Sequence, residues 1–173
     1  MENLENKYHY KYNEFLKHIK LIVDWLKPQT TGYTKYGVEP WDPDVIMSVN
    51  RGGLIPGVYL SHALKVPHLP IHYQSRDSAQ ANHSKGEWKF SYKPRSFDYD
   101  KKILLVDDIN DSGKTLKTIM DHWEKNNLGD VPITKRVKTV SLIERKGSIF
   151  NVDYSPLTLD TKDWVVFPWE GPF

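Results

Sequence analysis

The chain has 173 residues, of which 39% are hydrophobic and 27% are charged, a balance typical of one folded globular domain. Its 24 Lys and Arg residues and 22 Asp and Glu residues give a net charge of +2, which excludes attraction to nucleic acid or membranes through bulk charge. The absence of cysteine excludes a disulfide framework, a cysteine-ligated zinc site and a thiol nucleophile. No apolar stretch is long enough to span a bilayer, and the N-terminus lacks a signal-peptide pattern. We therefore expect one cytoplasmic domain over residues 1–173, with no nucleic-acid or membrane partner.

The first element predicted along the chain is a helix. Apolar residues recur at helical spacing from Phe15 to Leu26, and Asn13 before them is the expected N-cap. Short apolar runs follow at 45–49, 103–106 and 137–143, and helical patterns follow the first two at 54–64 and 114–124. Short and nearly continuous apolar runs are typical of strands buried on both faces of a parallel sheet. The alternation predicts an α/β fold with right-handed crossovers.

The segment 103–116 carries the strongest functional signal. An apolar strand ends at the adjacent acids Asp107 and Asp108, and a short polar loop then opens a helix. Ligands of open α/β sheets bind outside the carboxyl ends of the strands. Hydroxyls and backbone N–H groups at a helix N-terminus favour a phosphate, whereas the two acids suit sugar hydroxyls or a divalent cation. The residues that offer these groups to a phosphate are Ser112, Gly113 and Thr115. A P-loop is excluded, because Asp108 stands where its first glycine is required.

This segment resembles the phosphoribosyl pyrophosphate signature of the type I phosphoribosyltransferases. In that signature two acids follow an apolar strand, and a further acid, Thr or Ser, Gly and Thr come after them. Asn110 departs from the pattern, since an apolar residue is usual there, and Ser112 departs from the commoner Thr but keeps the hydroxyl. The resemblance implies that Asp107 and Asp108 hold the ribose hydroxyls and face the magnesium ion, and that Asp111 is the general base. It further implies that the 5′-phosphate is bound by Asp111, Ser112, Gly113, Lys114 and Thr115.

A second motif follows the first strand. The run Asn50-Arg51-Gly52-Gly53 combines a fixed positive charge with two glycines, which let the backbone approach an anion closely. It resembles the pyrophosphate loop of the same family. The resemblance implies that Arg51, Gly52 and Gly53 bind phosphoribosyl pyrophosphate and that Arg51 stabilises charge during catalysis. Because the peptide entering this loop is often cis in the family, we expect a cis bond between Asn50 and Arg51.

The C-terminal stretch 161–170 resembles the purine-binding stretch of the xanthine-guanine branch of the family. The resemblance implies that Trp164 stacks on the base, that Val165 reads the base edge through its backbone, and that Glu170 contacts the magnesium shell. The alternative for Trp164 is an ordinary packing role in the core.

The purine branch also has a lysine soon after the preceding strand, which donates to the 6-oxo group of the base. Residue identity favours Lys146 for this role and ungapped alignment favours Arg145, and we choose Lys146. The alternative for both is a pair of solvated cations in a turn.

The resemblance as a whole implies an open, mostly parallel sheet flanked by helices, with a small hood from the N-terminal and C-terminal segments and a mobile lid loop at about 74–92. The implied reaction is Mg2+-dependent transfer of the 5-phosphoribosyl group from phosphoribosyl pyrophosphate to xanthine, guanine or hypoxanthine, with release of pyrophosphate, in purine salvage. The family usually forms homodimers or homotetramers. Two alternatives are kept: a non-catalytic sensor of the donor or of a nucleotide, and a transferase for another base such as orotate or adenine.

Overall fold

The computed structural model describes residues 6–27, 37, 39–72, 101–126 and 131–170. In chain order its elements are β1 (Lys7–His9), α1 (Tyr12–Leu26), β2 (Val45–Asn50), α2 (Leu54–Leu64), β3 (His68–His72), β4 (Ile103–Asn110), α3 (Lys114–Lys125), α4 (Ile133–Arg136), β5 (Val137–Arg145), β6 (Leu157–Leu159) and β7 (Trp164–Val166).

The main sheet has five strands in the order β3-β2-β4-β5-β6, and every neighbouring pair is parallel. The three apolar runs of the sequence form its central strands β2, β4 and β5. A second, two-stranded sheet pairs β1 with β7 in parallel, with Lys7 opposite Trp164. The α/β fold with a mostly parallel sheet flanked by helices is confirmed.

Hydrophobic packing on the two faces of the main sheet explains why the helices lie there. One cluster buries Phe15 of α1 and Leu60 of α2 against Leu104 of β4, and Phe167 after β7 belongs to the same cluster. The other face packs Leu116 and further α3 and α4 residues against β2, β4 and β5. Strands covered by helices on both faces must be apolar on both faces, which is why the central runs lack alternation.

Two element boundaries differ from the expectation. Helix α1 begins at Tyr12, so Asn13 lies in its first turn instead of capping it, and Asn13 Oδ1 accepts a hydrogen bond from the Glu14 N–H at 2.9 Å. Strand β4 does not end at the two acids but continues to Asn110, which lies opposite Glu144 of β5. Pairing along a neighbouring strand therefore holds the acids in a regular backbone.

Within the described ranges, no helix is long and apolar enough to cross a membrane. The predicted lid loop at about 74–92 lies outside the described residues. The cytoplasmic location stays a prediction.

Candidate active site

The loop after β2 packs directly against the acids of β4. The peptide bond between Asn50 and Arg51 is cis, as expected. A Cβ atom on Gly52 would lie 1.9 Å from Asp108 Oδ2, and one on Gly53 would lie 2.7 Å from the Val106 carbonyl oxygen. The two glycines are thus needed for contact with β4, a requirement that the sequence alone did not reveal.

The adjacent acids of β4 lie in a low-dielectric setting that disfavours their charged forms. Burial raises the pKa of Asp107 well above its usual range, and the charge of Asp108 raises it further. Burial also raises the pKa of Asp108 to about 6, and the charge of Glu170 acts in the same direction. Glu170 is thus close enough to influence the charge of Asp108, and its contact with a magnesium shell stays a prediction. A bound cation or a hydroxyl donor would relieve this electrostatic cost.

The polar loop after β4 turns into helix α3 at Gly113, which has φ of +80° in the left-handed region that favours glycine. Ser112 Oγ accepts a hydrogen bond from the Lys114 N–H at 3.4 Å. The first N–H groups of α3 have no carbonyl partner within the helix, and the helix dipole adds positive potential there. Asp111, Ser112 and Lys114 are exposed and Thr115 is half-buried, so this end of the helix is accessible to a ligand. The arrangement suits a phosphate group.

Arg145 lies at the site and Lys146 does not. Arg145 Nε donates to Asp111 Oδ1 at 3.0 Å, and the guanidinium also donates to the carbonyl oxygens of Thr161 and Asp163. Lys146 Nζ instead pairs with Asp160 at 2.9 Å on the exposed surface. Arg145 thus joins the polar loop after β4 to the segment before Trp164, a three-way contact that no local sequence pattern indicates.

The predicted purine segment presents an aromatic ring and a backbone edge. Trp164 is 60% exposed, so its ring is not packed in the core. The Trp164 N–H donates to the Asn6 carbonyl and the Tyr10 N–H donates to the Val166 carbonyl, so these groups face β1. Because alternate residues of a strand point their polar groups to opposite edges, the N–H and carbonyl of Val165 face away from β1. The Val165 side chain itself is buried.

The residues at this site fit magnesium, which the family resemblance implies. Asp108, Glu170 and Asp107 offer carboxylate oxygens, the hard ligands that Mg2+ prefers. The absence of a side chain at Gly52 leaves room for the Asp108 carboxylate itself. In the part of the chain that the structure describes, no three His, Asp or Glu side chains converge as a ready-made metal cage. Mg2+ usually binds through one or two carboxylates together with substrate oxygens, so such a cage is not required for it.

Comparisons with known proteins identify the family and the fold. The chain resembles a purine phosphoribosyltransferase from Pyrococcus horikoshii with 28% identity and a TM-score of 0.70, over 95% of each chain. It shares its fold with a xanthine-guanine-hypoxanthine phosphoribosyltransferase from Helicobacter pylori at 22% identity and a TM-score of 0.69, over 96% of this chain and 93% of the other. The same fold occurs in a hypothetical protein from Neisseria gonorrhoeae with bound ppGpp, at 20% identity and a TM-score of 0.68, over 98% of this chain and 92% of the other. A sequence model of the phosphoribosyl transferase domain matches residues 33–172, and the chain therefore belongs to that family.

Proposed function

We propose that the protein transfers the 5-phosphoribosyl group from phosphoribosyl pyrophosphate to a 6-oxopurine, releasing pyrophosphate, in purine salvage. The observation that carries the proposal is that two loops suited to anions, 51–53 and 111–115, flank the adjacent acids Asp107 and Asp108. The loop at Arg51–Gly53 lies against Asp108, and the loop at 111–115 follows the same strand. A donor with a phosphate at one end, a diol in the middle and a pyrophosphate at the other end matches this order of groups.

The donor would be held at three places. Arg51 and the N–H groups of Gly52 and Gly53 would bind its pyrophosphate. Asp107 and Asp108 would accept hydrogen bonds from the ribose hydroxyls. The loop 111–115 would bind the 5′-phosphate. Asp107, Asp108 and Glu170 would hold the magnesium ion. When bound, that ion neutralises charge on the pyrophosphate.

The base would lie between Trp164 and the Arg145–Asp111 pair. The exposed Trp164 ring offers a stacking surface, and the backbone edge of Val165 that faces away from β1 offers groups that can read the base edge. Of the two cations after β5, the geometry favours Arg145 over Lys146 for contact with the 6-oxo group. Three of the five guanidinium N–H groups of Arg145 already have acceptors, and two remain for a ligand.

The reaction breaks the bond between ribose C1′ and the pyrophosphate oxygen, and the electron pair leaves with the pyrophosphate. Arg51 and the glycine N–H groups face the charge that develops there, an effect worth about 3 kcal/mol per well-placed donor. The purine nitrogen attacks C1′ and loses its proton to Asp111, the proposed general base. No covalent bond to the protein forms, which agrees with a chain that has no cysteine.

The test is incubation of the protein with phosphoribosyl pyrophosphate, Mg2+ and one base at a time, followed by chromatography of the products. We expect nucleotide from xanthine, guanine or hypoxanthine and none from adenine or orotate. Product from adenine or orotate alone would reassign the base. Binding of the donor without product from any base would indicate a sensor instead of an enzyme.

We also propose a homodimer or homotetramer of single-domain subunits with a hood formed by β1 and β7. Exposed apolar side chains on α1 and α2 support an assembly, among them Tyr12, Leu16, Ile55 and Val58. Light scattering of the purified protein measures its mass, and a monomer at all concentrations would contradict this part. The lid loop at about 74–92 stays a prediction.

A further inference from the structure

Asn110, which stands where the family signature usually has an apolar residue, is a buried polar side chain at the end of β4. It is only 2% exposed. Its side-chain amide nitrogen lies 2.6 Å from the Phe150 carbonyl oxygen, 3.1 Å from Ser148 Oγ and 3.2 Å from Glu144 Oε1. Its two N–H groups therefore serve three acceptors. A buried amide and its acceptors hold one another in place, because separating them would leave polar groups without partners.

Two of these acceptors belong to the segment 148–150. We call it the buttress segment because it supports the loop 111–115, the proposed phosphate loop. The Ile149 N–H donates to the Ser112 carbonyl at 3.1 Å. A Cβ atom on Gly113 would lie 2.3 Å from Ser148 Oγ and 2.6 Å from the Phe150 nitrogen. The buttress segment thus fixes where the backbone of the loop 111–115 runs.

The third acceptor ties the same network to the neighbouring strand. Glu144 lies opposite Asn110 in the ladder between β4 and β5, and its Oε1 also accepts from the Val152 N–H at 3.0 Å. Asn110 therefore links the end of β4, the end of β5 and the chain on both sides of residue 150. An apolar side chain at position 110 would leave Glu144 and Phe150 each with one donor fewer.

We propose that Asn110 is a positioning residue for the 5′-phosphate of the donor. Through the buttress segment it holds the N–H groups of residues 111–115 in the orientation that a phosphate requires. The inference rests on the proposed function, since it assigns that loop to the phosphate end of phosphoribosyl pyrophosphate. Its effect is confined to that end, because the opposite loop at Gly52 and Gly53 lies against Asp108 and Val106 instead.

The experiment separates the two ends of the donor by measuring the dissociation constants of ribose 5-phosphate and of magnesium pyrophosphate by titration calorimetry. In Asn110→Leu, which keeps the side-chain size, we expect ribose 5-phosphate to bind about tenfold more weakly, the effect of one lost hydrogen bond. Pyrophosphate should bind within about twofold of wild type. The matched control is Thr139→Val, which removes a buried hydroxyl that donates to Asp153 at 2.9 Å in the other half of β5. It should change neither dissociation constant.

A second, less disruptive variant tests the proposal if Asn110→Leu does not fold. Ser148→Ala removes one acceptor of the Asn110 amide from the buttress segment, and it should weaken ribose 5-phosphate binding in the same direction. Wild-type affinity for ribose 5-phosphate in the folded variants, or an equal loss for both ligands, would overturn the role of Asn110. A wild-type protein that binds ribose 5-phosphate but transfers no phosphoribosyl group from phosphoribosyl pyrophosphate to any base would refute the proposed enzyme and leave this inference standing. A wild-type protein that does not bind ribose 5-phosphate would refute both.

Discussion

Asp111 is the residue on which the proposed proton transfer depends. Asp111→Asn keeps the shape of the side chain and its place beside Arg145 but removes the carboxylate that accepts the proton. We expect the turnover number to fall about 10²- to 10⁴-fold, while the affinity for phosphoribosyl pyrophosphate changes little. The measurements are kcat with a 6-oxopurine and donor binding by calorimetry.

The control for this variant is Asp121→Asn. Asp121 is an exposed acid of α3 that pairs with Lys117, and a surface pair of this kind contributes little. It should leave kcat and donor affinity unchanged. Near-normal turnover in Asp111→Asn would remove Asp111 from the role of general base.

Gly52→Ala tests function apart from stability, because the added methyl group would meet the end of a side chain, that of Asp108, before any backbone atom. In Gly52→Ala the new Cβ overlaps the end of the Asp108 side chain, which can swing aside, so the thermal midpoint should change by only a few degrees. The displaced carboxylate should raise the KM for phosphoribosyl pyrophosphate by about tenfold or more. Steady-state kinetics and a thermal melt give both numbers.

Gly57→Ala provides the opposite case. Its Cβ would lie 1.8 Å from Ser48 Oγ, a fully buried group in the interior of β2. This variant should lose thermal stability but keep the donor KM of wild type at a temperature where it is folded. If Gly52→Ala kept its donor KM, the contact between Gly52 and Asp108 would have no part in binding.

At the scale of elements, Arg145 connects the end of β5 with the phosphate loop and with the segment before β7. Arg145→Lys keeps the charge but cannot reach Asp111 and two carbonyl oxygens together, since an ammonium lacks the fork of a guanidinium. We expect the KM for the base to rise about tenfold and the KM for the donor to stay within about twofold. Lys146→Ala should change neither, because its pair with Asp160 is exposed. If instead Lys146→Ala raised the KM for the base and Arg145→Lys left it unchanged, Lys146 would be the residue that contacts the base.

The contact between β2 and β3 predicts a pH dependence of folding. Burial lowers the pKa of His68, and its Nε2 lies 2.6 Å from Ser48 Oγ. The imidazole of His68 is therefore protonated more readily in the unfolded chain than in the folded one. The stability that neutral His68 contributes is fully present above about pH 6.5 and is lost as the pH falls below that value. His68→Gln keeps a polar atom near Nε2 but cannot titrate. The stability advantage of wild type over this variant should shrink between pH 7.5 and pH 5.

Urea denaturation at the two pH values measures this difference directly. Ser61→Ala, which removes a hydroxyl that donates to the Val66 carbonyl at 2.6 Å, serves as the control. The difference between wild type and this control should not depend on pH. A constant difference between wild type and His68→Gln would show that His68 does not contribute in this way.

These elements also show how far sequence reasoning reached. The motifs at 50–53 and 107–115 were found because each carries its chemistry in one continuous segment after an apolar strand. The bond between Arg145 and Asp111 joins residues 34 positions apart, and the contacts of Asn110 reach as far as Phe150. Such pairs depend on the register of β4 against β5, which local patterns do not encode. For the same reason residue type alone favours Lys146 for the base contact, whereas in the structure its Nζ pairs with Asp160.

For the whole molecule, the two sheets share one hydrophobic cluster. Tyr10 after β1 and Phe167 after β7 lie in the same cluster as Leu104 and Leu142 of the main sheet. Phe167 stacks on Trp169 with ring centroids 4.8 Å apart and meets the Tyr10 ring edge-on at 5.3 Å. A hood packed into the main core should unfold together with it, in one cooperative transition.

Phe167→Ala tests this coupling. Phe167 is buried, so truncation should lower the free energy of unfolding by about 3–5 kcal/mol through lost contacts and the cavity left behind. Ile149→Ala, at a side chain that is 62% exposed, should change it by no more than about 0.5 kcal/mol.

Far-UV circular dichroism follows the helices, and tryptophan fluorescence includes Trp164 and Trp169 near the hood. The two signals should give the same midpoint in wild type and shift together in Phe167→Ala. If fluorescence changed first while the circular dichroism of the variant stayed at its wild-type midpoint, the hood would be a separate unit, and the single-domain proposal would be wrong.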